Sequence, residues 1–122
     1  LIQAYSFTST PIAKALVAAK KRGMRIEAVL DKSQRSEKYS SADFIAHASI
    51  PTYIDDKHAI AHNKIIIIDE QVLITGSFNF TKSAEERNAE NLLVIKGNKL
   101  LAEKYIQNFM AHKGHSDSYS GR

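Results

Sequence analysis

The chain has 122 residues, 43% of them hydrophobic and 25% charged, and a formal net charge of +4. That length and apolar content fit one domain with a real core rather than a disordered tail, and the positive balance favours phosphate-rich partners, nucleic acid or an anionic membrane surface, without choosing between them. Cysteine is absent, which excludes disulfides, thiolate nucleophiles and cysteine-based zinc sites, and no apolar run approaches the ~20 residues needed to cross a bilayer, so no stable membrane insertion is expected.

Residues 1–7 read as a short strand. The hydroxyls of residues 8–10 and Pro11 then suit the start of a helix, which runs to about Arg22 with Ile12, Ala15, Leu16 and Ala19 at helical spacing. Lys20, Lys21 and Arg22 complement its C-terminal end, and Gly23 is a stop. Residues 24–30 form a strand with Ile26, Ala28 and Leu30 on one face. Residues 31–41 are polar without periodicity and are expected as an exposed loop. A short helix over residues 43–48 ends before Pro51, and residues 52–54 make a short strand. Residues 62–69 carry four consecutive isoleucines, the pattern of a strand covered on both faces. Glu70 and Gln71 turn the chain into a strand over residues 72–77, and residues 91–96 form another. Residues 98–113 are an amphipathic helix with Leu101, Tyr105 and Phe109 on its buried stripe. This order predicts an α/β layered domain with a mixed sheet flanked by helices over residues 1–113, followed by a flexible C-terminal tail over residues 114–122.

The chemistry concentrates in His62-Asn63-Lys64, the four isoleucines, Asp69, and then residues 76–81, Gly-Ser-Phe-Asn-Phe-Thr. Residues two apart on a strand share a face, so His62 and Lys64 project together while Asp69, seven positions from His62, points the other way. An imidazole beside an ammonium is a poor structural pair unless an anion sits between them. Ser77 and Asn79 are also two apart, just after a strand, and Gly76 would let backbone approach a ligand closely. Together the four side chains describe a phosphate site with a potential nucleophile.

His-x-Lys, four residues, Asp, then Gly-Ser-x-Asn resembles the signature of the phospholipase D superfamily, matched here by His62, Lys64, Asp69, Gly76, Ser77 and Asn79. Residues 4–8, 14–16, 76–82 and 88–91 also resemble segments of that superfamily's small bacterial single-motif endonucleases. The subgroup usually carries a strand and a helix ahead of Ala4, which this sequence does not contain, so upstream residues are expected in the native chain. The resemblance implies a phosphodiesterase, foremost a nonspecific endonuclease acting on DNA or also RNA. His62 would be the nucleophile and, from a second copy, the general acid. Lys64, Ser77 and Asn79 would hold the non-bridging oxygens, and Glu90 would accept a hydrogen bond from the other nitrogen of His62. Asp69 would be structural. No cofactor and no metal is implied. One motif per chain, for a reaction that needs two histidines, implies a homodimer with one shared site. Exported relatives point to the bacterial periplasm, although nothing visible marks export.

Two other functions compete: a lipid phosphodiesterase of the same mechanism, which would want apolar loops around the site, and a catalytically idle nucleic-acid-binding module. His47, His58, His112 and His115 read as satisfied polar residues, and a metal pair of His58 and His62 is disfavoured because their context is not helical. Residues 20–22 read as a solvated helix end, while Arg35, Lys38 and Tyr39 fit substrate contact and plain solubility equally well.

Overall fold

The computed structural model describes residues 1–122. Its sheet strands are β1 (Ile2–Ala4), β2 (Ala28–Asp31), β3 (Thr52–Asp55), β4 (Lys64–Ile68), β5 (Val72–Gly76), β6 (Leu92–Lys96) and β7 (Asp117–Tyr119). The helices are α1 (Thr10–Lys21), α2 (Ala42–His47), α3 (Lys82–Glu86) and α4 (Lys99–Gly114). The seven strands form one sheet in the order β6-β5-β4-β1-β2-β3-β7. β1, β2 and β3 run parallel, and every other neighbouring pair is antiparallel. This is the mixed, layered α/β architecture that the sequence predicts.

Both faces of the sheet are covered in its middle. The main core gathers Ile2, Ala4, Ala28, Leu30 and Ile54 from the strands with Ala13 of α1 and Ile45 of α2. On the opposite face Ile65, Ile67 and Leu73 pack with Leu101, Tyr105 and Ile106 of α4. The isoleucine run therefore splits by parity: Ile65 and Ile67 are buried towards α4, while Ile66 packs on the main core. Burying each such side chain contributes about 1.5–3 kcal/mol, so register is strongly fixed where the chain enters β4. Ser9 caps α1 by accepting from the Ile12 N–H at 3.3 Å, with Pro11 in its first turn.

Three expectations need correction. Residues 114–122 are not a loose tail. β7 pairs antiparallel with β3, Tyr53 facing Ser118, and the Tyr119 hydroxyl donates to Asp43, whose other oxygen accepts from Arg122. Backbone pairing and a polar anchor hold a segment whose composition alone reads as flexible. Residues 31–41 are not wholly exposed either. Asp31 and Gln34 are buried, and the Gln34 amide oxygen accepts from the Phe7 N–H at 3.0 Å. Finally, the β4–β5 turn is one residue earlier than expected. Asp69 and Glu70 take its two left-handed positions, with φ of 53° and 58°.

Candidate active site

The sheet delivers the predicted residues to one end. His62 lies just before β4, and Ser77 and Asn79 lie just after β5. The antiparallel register Ile65↔Thr75, continued one step, brings Lys64 level with Gly76. Ala4 pairs with Lys64, so Tyr5 emerges beside them, and Gly76 pairs with Leu92, so Glu90 sits at the same end two residues before β6. Asp69 lies in the turn at the opposite end of β4, away from this chemistry.

Lys64 is the unusual member. It is only 8% exposed, and its ammonium donates to the His62 carbonyl at 2.7 Å rather than to a carboxylate. Burial pushes its pKa down, and the negative charge of Glu90 partly offsets that. Its Nζ stands 5.5 Å from the Tyr5 ring centre, and the exposed His62 ring meets the same ring edge-on at 4.7 Å. His62 and Lys64 thus gather around one aromatic side chain.

On the neighbouring strands, Ser77 Oγ donates to Glu90 Oε1 at 2.6 Å and accepts from the Asn91 N–H at 2.9 Å. Asn88 Nδ2 donates to Glu90 Oε2 at 3.0 Å. The Ser77 hydroxyl, then the Asn88 amide, and further the charge of Lys64 hold the Glu90 carboxyl below its ordinary pKa. Within one chain, then, Glu90 engages Ser77 and Asn88, while the His62 ring packs on Tyr5. The hydroxyl of Ser77 must rotate off Glu90 before it can donate to a phosphate oxygen. Asn79 Oδ1 is buried without a hydrogen-bond partner, a state that costs about 1–3 kcal/mol.

Gly76 has a different role from the one expected. A Cβ there would lie 2.1 Å from the Asn91 carbonyl oxygen, and its φ is 148°. Its missing side chain admits the backbone of the next strand rather than a ligand, and so sets the Ser77–Asn91 pairing.

Sequence reasoning missed three contributors. Tyr5 contacts both His62 and Lys64, and Asn88 orients Glu90. Asp31, at the carboxyl end of a parallel strand, accepts from the Ala61 N–H at 2.7 Å and so pins the residue beside His62. Position at the carboxyl end of the strands was the available signal for Tyr5 and Asp31. Arg35 pairs with Asp117 of β7 at 3.7 Å, a tie within the fold.

Across residues 1–113 the chain matches the family described as "Cardiolipin synthase, PLD-like domain", and it belongs to the phospholipase D superfamily. Among curated proteins it is 44% identical over 117 residues to a protein of Rickettsia prowazekii named Phospholipase D, covering 96% of this chain and 57% of that one. The chain therefore spans little more than half the length of that relative. Its fold superimposes on the crystal structure of Nuc from Salmonella typhimurium, a phospholipase D family member, with a TM-score of 0.94 and 41% identity, covering 97% of this chain and 79% of that one. NucT from Helicobacter pylori shares the fold at a TM-score of 0.85 and 23% identity, over 97% of this chain and 80% of that one.

Proposed function

We propose that this chain is a phosphodiesterase that hydrolyses nucleic acid, DNA foremost, through a phosphohistidine formed on His62, in a homodimer that shares one site. The observation that carries this reading is Lys64: a desolvated cation, next to an exposed imidazole, with no carboxylate bonded to it. A buried charge left in that state is costly, and a phosphate diester is the anion that would complete it.

In this mechanism a His62 nitrogen attacks phosphorus, and the phosphorus–oxygen bond to the leaving alcohol breaks. The partner's His62 gives its proton to that oxygen. Water, deprotonated by the same second imidazole, then attacks the phosphohistidine and returns His62 free. Lys64, Ser77 and Asn79 face the charge that builds on the non-bridging oxygens, a task that a metal ion performs in other phosphoryl-transfer sites. Ionised Glu90 keeps Ser77 in place.

Nucleic acid is favoured by the net positive charge and by the resemblance to the single-motif endonucleases. Tyr39, 70% exposed with Lys38 Nζ 5.5 Å from its ring centre, adds a surface suited to stacking a base. A phospholipid diester is the second reading. It draws on the names of the family and of the Rickettsia relative, and on the exposed leucines of β6.

The deciding experiment offers the protein supercoiled plasmid and, separately, phosphatidylcholine or cardiolipin vesicles, each briefly in excess EDTA. Plasmid nicking that persists in EDTA, with vesicles untouched, is the expected result. Release of headgroup with intact plasmid would transfer the site to lipid, and loss of both within the EDTA exposure would contradict the metal-free chemistry.

A further inference from the structure

Four side chains that the phosphodiesterase site does not use converge near the other edge of the sheet. Asp55 ends β3 and is fully buried. His58 follows three residues later, in the segment that leads to His62; His112 lies in the last turn of α4, and His115 caps that helix. One potential ligand atom from each lies within 4.8 Å of all the others. Asp55 Oδ2 is 2.8 Å from His112 Nδ1, 3.0 Å from His58 Nδ1 and 3.0 Å from His115 Nε2. Oδ1 accepts from the Lys57 N–H at 3.0 Å and lies 3.2 Å from His58 Nδ1.

Each histidine is, as expected, a satisfied polar residue, but all three share a single oxygen. A carboxylate oxygen offers about two lone-pair directions, so three ring nitrogens exceed what Oδ2 accepts well. The three imidazoles also crowd one another, with ring centres 4.9 to 5.2 Å apart. A tetrahedral ion with bonds of about 2.0–2.1 Å places its ligand atoms about 3.4 Å apart, so Asp55 Oδ2, now 2.8–3.0 Å from the three nitrogens, must draw back while the most widely spaced atoms of the four, within 4.8 Å, close in.

We propose that Asp55, His58, His112 and His115 bind a divalent transition-metal ion, with zinc the best match to three imidazoles and one carboxylate. Calcium and magnesium prefer all-oxygen shells. Four protein ligands fill a tetrahedron, so the ion is structural rather than catalytic. It lies apart from the phosphate site: β3 is separated from β4 by β2 and β1. Its effect is to fasten three segments together, namely the end of β3, the segment leading to His62 and the C-terminal end of α4. The half-exposed His58 ring leaves the ion a way in.

The test uses protein purified without a histidine tag, stripped with a chelator and dialysed, and it reads binding and stability rather than cleavage. It therefore stands apart from the phosphodiesterase reading. Cobalt(II) alone should give the visible bands of a four-coordinate site, saturating at one ion per chain and displaced by zinc. Zinc should raise the thermal midpoint. His58→Gln and His112→Gln should each weaken binding by tenfold or more and lose the four-coordinate bands, while His47→Gln, outside the cluster, should behave as wild type. Should His112→Gln fail to fold, the half-exposed His58 position still decides the matter. Absence of the cobalt bands in the wild type, or bands and midpoint shifts unchanged in His58→Gln, would overturn the site and leave a hydrogen-bonded knot around Asp55.

Discussion

Lys64 and Glu90 carry the residue-scale logic. Folding lowers the Lys64 pKa chiefly through burial, so at neutral pH its protonated form costs stability. The sign follows from linkage: the unfolded chain binds the proton more tightly, so this cost is relieved only as pH rises through the depressed pKa towards 10.5. Lys64→Met should accordingly keep or raise the denaturant midpoint while cutting turnover by ~10²–10³, the scale of one lost transition-state donor. A paired fall in both stability and rate would make Lys64 a packing residue. Glu90 works the other way. Its pKa is depressed by Ser77, Asn88 and Lys64, so the ordering it gives the site is present above its ordinary value of 4.5 and is lost as pH falls through the lowered one. Glu90→Gln should remove that acid limb from the pH–rate profile and reduce turnover at neutral pH. An unchanged acid limb would remove Glu90 from the site.

At the scale of elements, the close contact of β5 with β6 positions the loop that carries Ser77 and Asn79. Gly76→Ala would push a methyl against the Asn91 carbonyl, so the start of β6 must move and Ser77 must lose its two bonds to Asn91. We expect a cost of about 1–3 kcal/mol in a urea melt together with a loss of activity; a stable, active Gly76→Ala would contradict this role. The strands, the long helices and the split isoleucine run were legible in the sequence because period and burial speak with one voice there. The edge elements were not. β7 has no apolar pattern and exists because β3 offers it a free edge and Asp43 offers Tyr119 an acceptor. Asp31 and Gln34 read as solvent-facing, yet their buried polar atoms satisfy the backbone of Phe7, Ser33 and Ala61. Likewise the spacing of His62, Lys64, Ser77 and Asn79 announced a site, whereas the engagement of Glu90 with Ser77 and Asn88 depends on how β5 and β6 meet. No local pattern encodes that.

On the scale of the whole molecule, the end of the sheet that carries the candidate site runs into an unfinished edge. β6 is the outer strand, and Leu92, Leu93 and Val94 are each about half exposed on it, beginning opposite Gly76. An apolar, unpaired edge is a liability for a lone chain and a natural seat for a second copy. The proposed homodimer requires the partner's His62 to come within reach of the first. The most direct test is a mixed dimer. Differently tagged wild-type and His62→Ala chains are co-expressed, purified through both tags, and assayed for plasmid cleavage. Such a dimer keeps a nucleophile but lacks the acid, and general acid catalysis is worth ~10²–10⁴, so its turnover should fall far below half that of the wild-type dimer. Half activity in the mixed dimer, or full activity from a monomer in solution, would contradict the shared site.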